Sequence, residues 1–163
     1  MTHFQPSRPV PRPTVSGELE QLESDHVAGV AERHDEVILI VENEDGNRML
    51  LEQILEFAGY ASISTTNGVE ALDVLDRTSV DLVLIDLSMP VLDGYQTTRL
   101  IRHRPYGATL PVVAVTAHAM AEDRELALRC GCTDYLSKPY RPSALLNIVE
   151  RLLHPVPAEP RHR

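Results

Sequence analysis

Five short apolar runs, each followed by a stretch with helical spacing, confine this chain to a narrow set of folds. The runs cover residues 37–41, 60–64, 81–85, 111–116 and 132–137, and their β-branched, apolar character predicts strands. Val37 to Val41 and Leu82 to Ile85 are apolar at every position, as in strands buried on both faces. The stretches 47–58, 67–77, 93–103, 120–130 and 143–153 predict helices. Leu50, Leu51, Ile54, Leu55 and Ala58 recur at the spacing of one helix face, and Gly59 is placed to stop that helix. Asn67 is suited to cap the second helix, with Glu70 three residues on, close to a capping box. Pro111 stands at the first position of its strand, where proline is tolerated. Ser143 is expected to cap the last helix, whose Leu145, Leu146, Val149, Leu152 and Leu153 face inward. Strands joined by helical crossovers run parallel, and their sheet is covered on both faces. The carboxyl ends of all five strands then share one edge.

Chemistry-bearing residues follow four of the strands. Glu42, Asn43, Glu44 and Asp45 follow the first. Asp86 stands where the third stops; Ser88, Met89 and Pro90 break that strand, and Asp93-Gly94 opens the next helix. Thr116 ends the fourth and is followed by Ala117 and His118, and Lys138-Pro139 follows the fifth. Taken singly, each has an ordinary role: a helix cap or turn for Asp86, a solvated loop for the acids, a strand-end threonine, a surface lysine. Together they supply a carboxylate able to attack phosphorus, oxygen ligands for a hard divalent cation, a hydroxyl and an ammonium. A cation and a lysine neutralise the oxygens of a phosphoryl group in transfer.

Composition narrows the partners. The 163-residue chain carries a net charge of −9, which argues against nucleic acid or an anionic membrane surface as the main partner. Cys130 and Cys132 are too few for a disulfide framework and lack a second pair for zinc, so reduced thiols at a helix-to-strand junction are expected. The start, MTHFQPSRPVPRP, has no apolar core of a signal peptide, and no apolar run reaches membrane-spanning length. A cytoplasmic location is the expectation. Residues 1–35 read as a proline-rich, mostly disordered leader, with a thin apolar stripe at Leu19, Leu22, Val27 and Val30. The folded domain is expected over 36–154, and 155–163 as a disordered tail.

Four motifs then carry a resemblance: VILIVENEDGNRMLLEQIL, DLVLIDLSMPVLDGYQTTRLIR, LPVVAVTAHAM and GCTDYLSKPY. Together they resemble the receiver domain of bacterial two-component response regulators, including receivers attached to hybrid kinases and single-domain chemotaxis and cell-cycle regulators. The resemblance implies a flavodoxin-like, doubly wound five-stranded parallel sheet in the order 2-1-3-4-5 with five helices. It implies phosphorylation of Asp86 by a histidine kinase or a histidine phosphotransfer protein. Mg2+ would be held by Glu42, Asn43, Asp86 and the backbone carbonyl of Ser88. Thr116 and Lys138 would contact the phosphoryl group, and Tyr135 would be the aromatic whose rotation accompanies activation. Ser88 and His118 occupy positions that tune the lifetime of the acyl phosphate. The output would be protein–protein contact through the face formed by the fourth helix, fifth strand and fifth helix, without direct binding of nucleic acid or membrane. No catalysis is implied beyond self-phosphorylation and autodephosphorylation. With ten residues after Leu153, the chain reads as a stand-alone receiver.

One residue departs from the family pattern. Asn43 stands where the family has a second acid, so two charges rather than three would face the cation, which weakens its binding. Glu44 and Asp45 are the nearby acids able to compensate, although the family pattern directs them along the loop. Two other readings stay open at this point. One is a phosphorylation-independent interaction module with a weakened metal site at Asn43. The other is an aspartate-nucleophile phosphohydrolase, which would need a carboxylate two residues after Asp86, where Ser88 stands.

Overall fold

A computed structural model describes residues 32–117 and 119–157. The expected leader, apart from residues 32–35, lies outside the described residues, as do residues 158–163. The elements are β1 (Val37–Val41), α1 (Asp45–Phe57), β2 (Ala61–Thr65), α2 (Gly68–Arg77), β3 (Leu82–Ile85), α3 (Gly94–Arg102), β4 (Val112–Thr116), α4 (Ala121–Arg129), β5 (Asp134–Ser137) and α5 (Pro142–Leu153). All strands are parallel, in the order β2-β1-β3-β4-β5. The order reverses between β1 and β3, and this is where an open α/β sheet leaves a crevice beyond its carboxyl ends. Val41 is in register with Ile85, so the residues that follow them, Glu42 and Asp86, emerge side by side.

Alternation along the strands builds two cores. Leu39, Val41, Val83, Ile85, Val112 and Ala114 face one side and pack with Ala71, Leu72, Leu75, Ile101 and Ala127 of α2, α3 and α4. Ile38, Ile40, Leu82, Leu84, Val113 and Val115 face the other and pack with Leu51, Ile54, Leu55, Leu145 and Val149 of α1 and α5. Each valine, leucine or isoleucine among them contributes about 1.5–3 kcal/mol by leaving water. The central strands therefore form a stiff platform for the groups at their ends.

The helix ends follow local chemistry. Asn67 accepts the Glu70 N–H at 2.9 Å, as a cap should. The Glu70 carboxylate accepts from the Thr66 N–H and hydroxyl, one residue earlier than a capping box requires. Gly59 takes a φ of +86°, the left-handed conformation that closes α1, and its N–H reaches the Glu56 carbonyl. Two expectations need correction. Ser143 lies inside the first turn of α5, because Arg141 is the N-cap residue and Pro142 takes the first helical position, where no N–H is needed. Leu50, expected on the inner face of α1, is exposed along with Met49, and only Leu51, Ile54 and Leu55 are buried there.

Cys130 ends α4 and Cys132 follows it, both as buried free thiols. Burial pushes the Cys132 thiol up to about 11. A contact with the Thr98 hydroxyl at 3.8 Å opposes that shift.

The junction between β3 and α3 is tight. Asp93 caps α3 by accepting the Gln96 N–H at 2.8 Å, and the Gly94 N–H donates to the Leu87 carbonyl at 3.2 Å. A Cβ on Gly94 would lie 2.3 Å from the Asp86 carbonyl oxygen and 2.7 Å from the Leu87 Cα. Glycine thus lets α3 start directly against the backbone that carries Asp86. Gly94→Ala is expected to lower stability by about 1–3 kcal/mol, read from the midpoint of urea unfolding. An unchanged midpoint would mean that this junction yields freely.

Candidate functional site

Asp86 leaves β3 while still bonded into the sheet: its N–H donates to the Val41 carbonyl at 3.0 Å. Its side chain then turns into the crevice, 8% of the residue remaining accessible. Oδ1 accepts the Ser88 N–H at 3.1 Å, and Oδ2 lies 3.4 Å from the Lys138 Nζ. Glu42 leaves β1 in the same way, with its N–H on the Thr65 carbonyl at 3.1 Å. Its carboxylate is almost fully buried, at 1% accessibility. Oε1 accepts the Glu44 N–H at 3.0 Å and Oε2 accepts from the Lys138 Nζ at 2.6 Å. Arg48, one turn into α1, donates to the Glu42 backbone carbonyl at 3.0 Å and pairs with Asp45.

Lys138 is aimed by its own backbone. Its N–H donates to the Thr116 carbonyl at 2.8 Å at the end of β4, and a cis peptide bond joins it to Pro139. The ammonium, 15% accessible, lies between two carboxylates, that of Asp86 two strand positions away and that of Glu42 three. A buried carboxylate without a partner is costly, and here one ammonium serves two. Lys138 sits closer to Glu42 than to Asp86, so Asp86 is the less tightly held of the pair. With formal charges of −1, −1 and +1, the trio keeps one uncompensated negative charge.

Above the trio opens a cleft of about 230 Å³ lined by Asn43, Glu44, Asn47, Asp86, Ser88, Ala117 and Lys138. Asp86, Asn43, Ser88 and Lys138 meet there as the sequence predicts. Glu42 lies beneath the cleft, engaged by Lys138, rather than on its wall. Thr116 is fully buried at the end of β4 and does not line the wall. His118 lies outside the described residues. Glu44, one of the two acids able to compensate for Asn43, lines the cleft, and so does Asn47, to which sequence reasoning assigned no place there; Asn47 donates to the Glu44 carboxylate at 2.6 Å. Asn47 is four residues beyond Asn43, so helical periodicity from the start of α1 was the signal available. Asp45 pairs with Arg48 and does not line the cleft.

The cleft wall carries the oxygen-bearing residues Asp86, Glu44, Asn43 and Ser88, with the Glu42 carboxylate beneath it. An all-oxygen set with net negative charge fits a hard divalent ion of the magnesium class. A larger cleft, about 570 Å³, opens at the amino edge of the sheet beside Asp76, Asp81, Tyr106 and Pro111. None of the strand-end groups reaches it.

Two features flank the site. Val91, in the loop between Asp86 and α3, has a φ of +73°, which strains a β-branched residue. Tyr135, on β5, packs against the core on the α3 and α4 side. Its hydroxyl oxygen is buried and has no hydrogen-bond partner among the described residues. Burial, with a further push from Asp123, raises the phenol above its ordinary range.

Residues 38–150 match the family described as the response regulator receiver domain. The chain is 43% identical over 110 residues to the sensor histidine kinase RcsC of Escherichia coli, covering 68% of this chain and 11% of that kinase. It thus corresponds to a small part of that kinase. It is 38% identical over 102 residues to the polar-differentiation response regulator DivK of Brucella anthropi, covering 63% of this chain and 83% of DivK. Among solved structures, the receiver domain of a Pseudomonas aeruginosa sensor histidine kinase superposes with a TM-score of 0.69 at 37% identity. That alignment covers 74% of this chain and 98% of the other, whose active site cleft holds a coordinated magnesium ion. The sheet order, the converging strand ends and the match over 38–150 lead to one assignment: the chain belongs to the response regulator receiver domain family.

Proposed function

We propose that this receiver accepts a phosphoryl group on Asp86 from a histidine phosphate of a sensor kinase or a phosphotransfer protein. The observation that carries the reading is the Lys138 ammonium placed between Glu42 and Asp86, with Asp86 the more loosely held. In the transfer, an Asp86 carboxylate oxygen attacks phosphorus. An O–P bond forms, the N–P bond to the donor imidazole breaks, and that imidazole keeps the electron pair. Lys138 is in reach to follow the phosphoryl oxygens as Asp86 loses negative charge to the new bond. Thr116, at the end of the neighbouring strand, is the hydroxyl to donate to one of those oxygens. Glu42, Asn43, Asp86 and the Ser88 carbonyl are the groups that would hold Mg2+, which when bound supplies positive charge to the transferring phosphoryl group.

The signal would leave through packing. Phosphorylation adds negative charge at Asp86, draws Thr116 toward it and frees space beside β4 for Tyr135. The unpartnered Tyr135 hydroxyl suits such a two-state side chain, because an unsatisfied buried hydroxyl costs about 1–3 kcal/mol and lowers the preference for its present position. The surface formed by α4, β5 and α5 would then meet a kinase or a downstream protein. Ser88, on the cleft wall, and His118 would tune how long the acyl phosphate lasts. The domain would span 36–154, and its chemistry would be confined to gaining and losing its own phosphoryl group. Among the described residues no helix is long and apolar enough to cross a membrane, and a cytoplasmic location is part of the proposal.

Three measurements test this reading. Incubated with acetyl phosphate and Mg2+, the protein is expected to gain the mass of one phosphoryl group, and Asp86→Asn to gain none. No added mass at any Mg2+ concentration would leave the phosphorylation-independent module as the better reading. Asn43→Asp returns a third negative charge to the cleft and is expected to tighten Mg2+ binding by about tenfold, on the order of 1.4 kcal/mol, by calorimetric titration. Equal affinities would show that Glu44 already serves. Tyr135→Phe removes the orphan hydroxyl and is expected to raise stability by up to about 1 kcal/mol in urea unfolding. A loss of stability would reveal a hydrogen bond to that hydroxyl.

A further inference from the structure

A second cluster of ligating side chains lies at the opposite edge of the sheet from Asp86. His34 and Glu36 belong to the segment that leads into β1, and His154 ends α5. Helices in this fold run antiparallel to the strands, so the end of α5 returns to the place where β1 begins. One ligating atom from each of the three residues lies within 4.8 Å of the other two. The His34 Nδ1 is 3.9 Å from one Glu36 oxygen and the His154 Nε2 is 3.7 Å from the other. The two imidazole centroids are 5.4 Å apart.

Part of this cluster is held in place. The His34 ring stacks on Tyr60, with centroids 4.0 Å apart and planes 12° from parallel. Tyr60 is itself buried, and the His34 backbone N–H donates to the Gly59 carbonyl at 3.0 Å. Glu36 lies next to β1, whose first N–H is bonded to the Asp81 carboxylate at 2.8 Å. His154 is the adjustable member, at 42% side-chain accessibility.

We infer that His34, Glu36 and His154 form a binding site for a divalent transition-metal ion of the zinc class. Two imidazoles and one carboxylate are a donor set that zinc-class ions take, whereas magnesium and calcium favour oxygen alone. Zinc bonds of about 2.0–2.2 Å in a tetrahedral site place ligand atoms roughly 3.3–3.6 Å apart. The two imidazole–carboxylate separations, 3.9 and 3.7 Å, run to different Glu36 oxygens, and one atom from each residue falls within 4.8 Å of the other two, so the ligands must draw in to bind. That closure falls to the Glu36 carboxylate and the exposed His154 ring, while His34 stays on Tyr60. Three protein ligands leave the fourth position to water. Without an ion, the same residues offer partly exposed pairs of the kind that contribute little. With an ion, the segment entering β1 is tied to the last turn of α5. The inference does not depend on phosphorylation of Asp86.

The test uses the full chain, stripped of metal with a chelator and kept in saturating Mg2+ so that the Asp86 cleft does not compete. Zn2+ titration by calorimetry is expected to show one site of micromolar affinity or better. Glu36→Gln and the double variant His34→Ala/His154→Ala should each weaken it by more than tenfold, and His103→Ala should leave it unchanged. Zn2+ at about a hundredfold excess over its dissociation constant should raise the melting temperature by roughly 5–10 °C in the wild type and not in the double variant. Metal-free melting curves establish that each variant folds. If the double variant does not fold, Co2+ binding to the wild type decides. A tetrahedral spectrum without a thiolate charge-transfer band supports the site. A charge-transfer band would move the metal to Cys130 or Cys132 and overturn it. Binding weaker than millimolar, or an affinity that the double variant keeps, also overturns it.

Discussion

One ammonium shared by two carboxylates is the interaction on which the cleft depends. Lys138 comes from the end of β5, Glu42 from the end of β1 and Asp86 from the end of β3. Glu42 is almost fully buried, a buried charge is costly without a partner, and the only cation touching its carboxylate among the described residues is Lys138. That pairing fixes the lysine over the crevice, where it also faces Asp86. The arrangement requires that β1 and β3 be neighbours and that β5 approach from the β4 side. The strand order meets both conditions.

The apolar strands make this arrangement stiff. Every residue of β3 and β4 is buried, and so are four of the five in β1. The edge strands differ: β5 is half-buried throughout, and β2 is exposed at its first two positions. Rigid groups therefore stand at the centre of the sheet, and the side chain proposed to move, Tyr135, belongs to an edge strand. The loop after Asp86 is held more tightly than its composition suggests, by the Asp93 cap and the close approach at Gly94, and these ties sustain the strain at Val91.

At the amino edge, long polar side chains replace apolar packing as the tie between loops. Arg102 donates to the carbonyl oxygens of Gly131 at 2.8 Å and Leu110 at 2.7 Å, and also to that of Gly107. It thereby joins the loop before β4 to the loop before β5. The proposed metal site at His34, Glu36 and His154 would perform a similar service for the two ends of the domain. The two edges would then have separate tasks, phosphoryl chemistry at one and fastening at the other.

The sequence by itself determined the elements and their class, because apolar periodicity is local and repeats five times. It also placed Asp86, Thr116 and Lys138 at strand ends, since each directly ends or follows an apolar run. Helix ends were less legible: Ser143 is a good capping residue, but Pro142 before it suits the first helical position better. Only the tertiary structure decided the depth of Glu42 beneath Lys138, the choice of Glu44 over Asp45 for the cleft wall, and the presence of Asn47 there. It also decided the reach of Arg102 to three backbone carbonyls and the meeting of His34 with His154. The physical reason is the same in each case. Burial of a charge and the contact of residues dozens of positions apart arise from the sheet order and helix packing, and no local pattern of residue types records them.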